Sequence, residues 1–288
     1  MRYAPQQVEA DAPAASNHSK TATPREVSTA ERAVAQTTTV VTQNEISNVD
    51  VRSASRSTFV SWRTLAFGAM REISAAMEDY LKAIQQIGAT TGGTVTTQAL
   101  ADRLNVSTAS VTGMIKKLDG LRLVEHEPYH GVVLTARGTA AALEVLRHHR
   151  LLELFLVEHL GVPWEEVHAE AERLEHHISE GLEERIAAKL GQPSHDPHGD
   201  PIPARDGSLV DIPAMPLAHC HAGSSARITR VSDRSTELLQ YLAERGLRPG
   251  ADLTVTEVDG LAGVMTVELA DRRYTLSLGV ASQILVEA

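Results

Sequence analysis

Residues 95–138 read VTTQALADRLNVSTASVTGMIKKLDGLRLVEHEPYHGVVLTARG, and the order of patterns in this stretch decides the fold. A first helix is expected from about Thr97 to Leu104. Asn105-Val106-Ser107 then makes a turn whose serine caps a second helix running to about Leu118. Val111, Ile115 and Leu118 recur at three- and four-residue spacing and face inward. Ser110, Thr112, Gly113, Lys116 and Lys117 are left toward solvent, where small polar side chains suit base edges and lysines suit phosphates. "LVEHE" and "GVVLT" are two short strands around Pro128-Tyr129-His130-Gly131, which makes a wing. A helix pair alone is a weak signal, because ordinary helical domains contain many. Helix, helix and hairpin in that order is far more specific and predicts a winged helix-turn-helix with its second helix in the major groove.

Before this unit, "SAAMEDYLKAIQQIG" places Met77, Tyr80, Leu81, Ile84 and Ile87 on one stripe, with Ser74 as N-cap and Gly88 as stop. Residues 1–69 show no sustained period and are expected to be a disordered or weakly ordered extension. The DNA-binding domain is therefore assigned to 70–137.

Beyond it, a long helix is expected from Thr135 to Gly161, then a helix opened by Pro163, then one from about Glu180 to Leu190. In this helical domain, 138–190, Leu143, Leu146, Leu151, Leu154 and Phe155 offer more apolar face than a winged helix needs, as a dimer interface would. A linker rich in Pro, His, Gly and Asp, 191–221, leads to alternating segments over 222–288. Those segments predict a five-stranded SH3-like barrel with the helix "STELLQYLAERG" inserted after its first strand. The fold class is mainly α with α+β parts.

Aromatic residues make up only 3% of the 288 residues, so the cores must be aliphatic and small. No apolar run is long enough to span a bilayer, and the N-terminus lacks the layout of a signal peptide. The one cysteine, Cys220, excludes an internal disulfide; together these features predict a cytoplasmic protein with no membrane partner. The net charge of −10 is unusual for a DNA binder, but it is unevenly spread. Residues 95–137 carry Arg103, Lys116, Lys117, Arg122 and Arg137, whereas carboxylates dominate from Glu153 to Glu184. One surface can bind phosphate while the acidic region gathers cations.

The acid has a pattern. His168, Glu172, Glu175 and His176 lie at i, i+4, i+7 and i+8 on one helical stripe. His149 and Glu153 form an i,i+4 pair on the preceding helix, and Asp79 sits on the first helix beside Met77 and Tyr80. Imidazole and carboxylate on adjoining helices are what a first-row divalent cation takes. Glu/His-rich helices are more often solvated faces, and His148, His159 and His177 are assigned to such faces. His195, His198, His219 and His221, in the linker, are read as adventitious ligands at most. The stripe is harder to dismiss, because carboxylates buried unpaired against a helix-packing surface are costly.

Two other classes remain open: a winged-helix regulator that senses an organic ligand, and a metal-dependent hydrolase. The hydrolase lacks a nucleophile with a paired base, so the chain is not expected to be an enzyme. A proline-peptide groove in the barrel is disfavoured, since Tyr241 and Tyr274 are the only aromatics from 222 to 288.

"MEDYLKAI", "LNVSTASVTGMIKKL", "RHHRLLELFL", "LEHHIS" and "DPHGDPIP" resemble the diphtheria toxin repressor (DtxR/MntR) family of iron- and manganese-dependent regulators, over about residues 73–288. The resemblance implies a cytoplasmic homodimer on palindromic double-stranded operators, loaded with Mn²⁺ or Fe²⁺ and repressing metal-uptake genes. It implies Asp79, Glu172, Glu175 and His176 as primary metal ligands, and His149, Glu153 and His168 as ancillary ones, with Glu237 the candidate from the SH3-like domain. It places Ser107, Thr108, Ser110 and Thr112 against DNA, with Lys116, Lys117 and the wing residue His130. Iron-type members carry Met and Cys where this chain has Asp79 and Glu172, and hard oxygen donors shift the expectation to Mn²⁺. Manganese-type members have a further Glu where this chain has Lys82, which puts their compact two-metal cluster in question.

Overall fold

A computed structural model describes residues 73–127, 131–210 and 213–287. The wing tip, with His130, and the extension 1–69 lie outside the described residues.

Helix α1 (Ala75–Thr91) runs past the expected stop at Gly88. Gly88 belongs to the last turn, and its carbonyl accepts from the amides of Gly92 and Gly93; Gly92, at φ 84°, ends the helix instead. A helix stops where the chain turns left-handed, and here the glycine pair four residues on does that. Ser74 is the N-cap residue by position but makes no side-chain cap bond.

Helix α2 (Thr97–Leu104) is capped by Thr96 and ended by Asn105 at φ 52°. Helix α3 (Thr108–Gly120) is capped by the Ser107 hydroxyl, which accepts from the Ser110 amide at 3.2 Å. Val111, Ile115 and Leu118 are buried, and Tyr80, Leu81, Ile84, Leu100 and Leu123 fill the same core. The wing is the antiparallel pair β1 (Val124–Glu127) and β2 (Gly131–Leu134), tied back to the helices by reciprocal amide bonds between Val95 and Val132.

Helix α4 (Ala136–Leu160) begins at a Thr135 cap and ends at Gly161 in the left-handed conformation. The next helix does not start at Pro163. A turn spans Trp164 to Glu166, and helix α5 occupies only Val167–Leu174. Glu175 and His176 therefore lie in the turn after α5, so the four-residue stripe is not one continuous helix face. The following Ser179 caps helix α6 (Glu180–Lys189) and fixes where a new helix must start. A second core joins Leu151, Leu152, Ala171, Ile186, Ala187 and Ile202.

Among the described residues the C-terminal sheet has six strands rather than five, all antiparallel, in the order β3-β8-β4-β5-β6-β7. They are β3 (Met215–Pro216), β4 (Ser225–Val231), β5 (Asp252–Asp259), β6 (Val264–Leu269), β7 (Arg272–Ser277) and β8 (Ile284–Glu287). The extra strand, β3, is two residues long and has no alternation to read. Helix α7 (Thr236–Ala243) follows β4 and covers the core with Leu239 and Leu242.

Trp164, from the turn before α5, is buried in this same core. The segment 196–203 is held against α4, where Arg150 donates to the carbonyl of Pro201 and Arg147 to that of Pro203. Gly199 lets that segment pass β4: at φ 90°, an added Cβ would stand 2.0 Å from the Thr229 carbonyl oxygen. Gly199→Ala should cost roughly 2 kcal/mol or more, through clash and left-handed strain together. Urea unfolding measures it, and a midpoint equal to that of the wild type would refute the close approach.

Candidate metal centre

Two clusters of donor atoms lie where α1, α4 and α5 meet. In the first, Asp79 from α1 meets Glu175 and His176 from the turn after α5, with donor atoms all within 4.8 Å of one another. His176 Nε2 is 2.9 Å from Asp79 Oδ1 and 3.4 Å from Glu175 Oε1. Its other nitrogen, Nδ1, is 2.5 Å from Glu78 Oε2. Glu78 is not among the residues that the sequence pattern singles out; its place beside Asp79 is the one signal for it. It lies on the buried side of α1 and orients the imidazole, as a carboxylate behind a ligating histidine does. Hydrogen bonds to Asp79 and Glu78 push the His176 pKa up to about 10 against the opposing effect of burial.

Lys82, one turn along α1 from Glu78, is buried, and its ammonium is 2.5 Å from Glu175 Oε1 and 3.4 Å from Glu172 Oε1. The cluster thus contains its own cation. Glu172, expected beside Glu175, sits at the rim with its side chain 47% exposed, between Lys82 and His168 Nε2 at 3.5 Å.

The second cluster is His149, Glu153 and His168. Glu153 Oε1 is 3.0 Å from His149 Nε2 and 3.0 Å from His168 Nδ1. Burial would lower the His149 pKa and raise that of Glu153, but their mutual charge and hydrogen bond win. His149 rises to about 9 and Glu153 is held below the usual carboxylate range. His149 Nδ1 is 2.5 Å from Glu175 Oε2, so Glu175 joins the two clusters. Burial works against the Glu175 carboxylate, yet His149 and Lys82 together keep its pKa low.

Two further groups extend the second cluster. His198, read from sequence as a linker residue, is fully buried and stacked on Trp164. Its Nε2 is 2.8 Å from the Trp164 carbonyl, which can only accept, so Nε2 carries a proton, and in the neutral ring Nδ1 is the nitrogen with the lone pair. That Nδ1 has no hydrogen-bond partner among the described residues and lies 3.9 Å from Glu153 Oε2; Asp196 completes the group. The C-terminal domain reaches the cluster through Asp233, whose Oδ2 is 3.6 Å from His168 Nδ1. Glu237 does not join it. It lies exposed in the first turn of α7, where Ser235 donates to its carboxylate at 2.8 Å. A carboxylate at that position serves the helix cap, and the loop before it carries the residue that reaches across.

These donors fit a hard first-row divalent cation. They combine imidazole nitrogen with carboxylate oxygen, and the buried Nδ1 of His198 has no hydrogen-bond partner among the described residues. Lys82 places a fixed positive charge at the edge of the first cluster, beside Glu175 and Glu172.

In the winged helix, Thr108, Ser110, Thr112, Lys116 and Lys117 are exposed along α3, and Ser107 is exposed at its cap. The Ser107 and Ser110 hydroxyls are 2.9 Å apart, and the Thr112 hydroxyl donates to the Thr108 carbonyl at 2.9 Å. These contacts fix the hydroxyls' orientation and leave each with further hydrogen-bonding capacity.

Residues 72–132 match the iron dependent repressor N-terminal DNA binding domain, residues 135–204 the iron dependent repressor metal binding and dimerisation domain, and residues 215–288 the FeoA domain. The chain is 33% identical over 232 residues to the iron-dependent repressor IdeR of Mycobacterium tuberculosis, covering 76% of this chain and 99% of that one. The chain belongs to the DtxR/MntR family. The diphtheria toxin repressor of Corynebacterium efficiens is 30% identical over 222 residues, 70% of this chain and 94% of its own. Among solved structures, a manganese-dependent transcriptional repressor in complex with manganese has a TM-score of 0.68 at 40% identity, covering 73% of this chain and 98% of that chain. The manganese regulator SloR has a TM-score of 0.60 at 33% identity, covering 73% and 97%. Relatives in the DtxR/MntR family are thus named for iron and for manganese alike. No helix among the described residues is long and apolar enough to cross a membrane.

Proposed function

We propose that the chain is a divalent-metal-dependent, DNA-binding transcriptional repressor, acting as a homodimer on a palindromic operator, with Mn²⁺ favoured over Fe²⁺. One observation carries this reading: Asp79 of α1 meets Glu175 and His176 beyond α5, so a single cation would tie the winged helix to the helical domain. Asp79, Glu175 and His176, with Glu172 at the rim, are the regulatory ligands in this reading. His149, Glu153 and His168, joined by Asp196, His198 and Asp233, are the ancillary ones. Oxygen donors at 79 and 172 are the reason for manganese. The family's names for its members and the absence of a nucleophile–base pair in the sequence favour a regulator over an enzyme.

A bound divalent ion would supply the positive charge that holds carboxylates from separate helices together. His176 is aimed for that by Glu78, and Glu175 by Lys82 and His149. Fixing α1 against the turn after α5 fixes α3 relative to the dimer axis, and so sets the spacing of two recognition helices on a two-fold site. The gain in operator affinity then equals the ion's preference for that arrangement over looser ones.

Operator retention titrated with Mn²⁺, Fe²⁺, Zn²⁺ and chelator at fixed salt tests the reading. Mn²⁺ should tighten binding most and chelator should reverse it. Affinity indifferent to chelator would favour an organic effector instead. In the same assay, Lys116→Ala and Lys117→Ala should weaken binding to all sequences alike and lower the salt slope by about one each. A sequence-selective loss would show that those lysines read bases.

A further inference from the structure

A third group of donors lies inside the helical domain, apart from both clusters. Glu144 and His148 are one turn apart on α4, and Glu183 faces them from α6. All three are buried, which corrects the expectation that His148 lies on a solvated face. Their donor atoms fall within 4.8 Å of one another.

The imidazole's tautomer is fixed. His148 Nδ1 is 3.2 Å from the backbone carbonyl of Glu175, which can only accept, so Nδ1 carries the proton. Nε2 of the neutral ring therefore directs a lone pair at Glu144 Oε1, 3.7 Å away, and at Glu183 Oε2, 3.8 Å away. Arg147 is bonded to the other Glu183 oxygen, Oε1, which leaves Oε2 pointing at the ring. Both Nε2 and Glu183 Oε2 are buried without a hydrogen-bond partner among the described residues. Buried polar atoms are almost always satisfied, so lone pairs converging on one point call for something positive between them. The separations are too long for hydrogen bonds. They suit donors around a first-row cation, where bonds of about 2.1 Å set tetrahedral edges of roughly 3.4 Å.

We propose that Glu144, His148 and Glu183 form a third divalent-cation site, taking a first-row ion such as Zn²⁺ through one imidazole nitrogen and two carboxylate oxygens, with water completing the shell. The site joins α4 to α6. Through the Nδ1 bond it also steadies the Glu175 carbonyl, at the turn that carries Glu175 and His176. It serves as a structural brace behind the first cluster and does not depend on how that cluster is used.

The full chain, stripped with chelator and dialysed against Zn²⁺, gives the test as ions bound per protomer. Glu144→Gln and His148→Gln should each hold one ion fewer than the wild type. His176→Ala should lose a different ion, so that His148→Gln combined with His176→Ala loses two. An unchanged count in Glu144→Gln and His148→Gln would overturn the proposal and leave a water-filled pocket. If His148→Gln does not fold, Glu144→Gln, at the edge of the pocket, decides by its count. Failure of the metal-responsive DNA assay with this ion still counted would fault the functional reading alone.

Discussion

Lys82→Met should destabilise the metal-free chain by about 3 kcal/mol, and saturating Mn²⁺ should erase most of that loss. The ammonium is buried and lies 2.5 Å from Glu175 Oε1, while Glu175 itself is 1% exposed. Removing one partner of a buried ion pair leaves the other as an uncompensated charge, which costs on the order of 3–5 kcal/mol. The lower end is expected, because His149 still donates to the second Glu175 oxygen. Methionine keeps the length of the stem and its packing, so the loss reports charge rather than a cavity. Metal affinity at the first cluster should rise at the same time, since an ion need no longer enter beside an ammonium. Binding at a thousandfold excess over Kd adds about 4 kcal/mol to the folded state, enough to restore the variant. Urea unfolding with and without Mn²⁺ reads both effects. Equal stability of variant and wild type without metal would show that Lys82 does not balance the cluster.

The sequence made the DNA-binding half legible because its signals are local. Ser107 as cap, Val111, Ile115 and Leu118 as inward face, and the two short wing strands all follow from short-range patterns. The metal site was legible only as residue types. The end of α5 at Leu174 is hidden because Glu175 and His176 continue the helical spacing; the one local signal is Ser179, the N-cap that opens α6 and so requires a turn before it. Lys82 was readable as a misfit among ligands. Its role as the cluster's own cation depends on distances across about 90 residues of chain. His148 and His198 read as surface and linker histidines because their burial is set by distant residues: Glu175 and Glu183 face His148, while Arg147 and Arg150 hold the segment of His198 onto α4. Glu237 and Asp233 are four residues apart, and only the fold tells the helix cap from the residue that reaches His168.

Glu175→Gln should lower the Mn²⁺-dependent gain in operator affinity at least ~100-fold, more than Glu172→Gln, although both stand on the predicted ligand stripe. Glu175 uses both oxygens: Oε1 faces Lys82 and His176, and Oε2 faces His149. An amide has one acceptor end, so its NH₂ must face either an ammonium or the nitrogen of His149. Either arrangement leaves a buried donor unsatisfied. The first cluster also loses a charged donor, while Lys82 remains to repel any cation that enters. The second cluster suffers too, because His149 loses the carboxylate that orients it, a change worth about 10–100-fold in metal affinity. Glu172, nearly half exposed at the rim, can be replaced by water and should cost about tenfold or less. Fluorescence anisotropy on the operator, titrated with Mn²⁺ for each variant, separates the two. If Glu172→Gln proved as damaging as Glu175→Gln, the rim carboxylate would have to swing inward on metal binding. If Glu175→Gln kept the wild-type response, Glu175 would be a structural counter-ion to Lys82 and His149, and the regulatory ligand set would have to be sought without it.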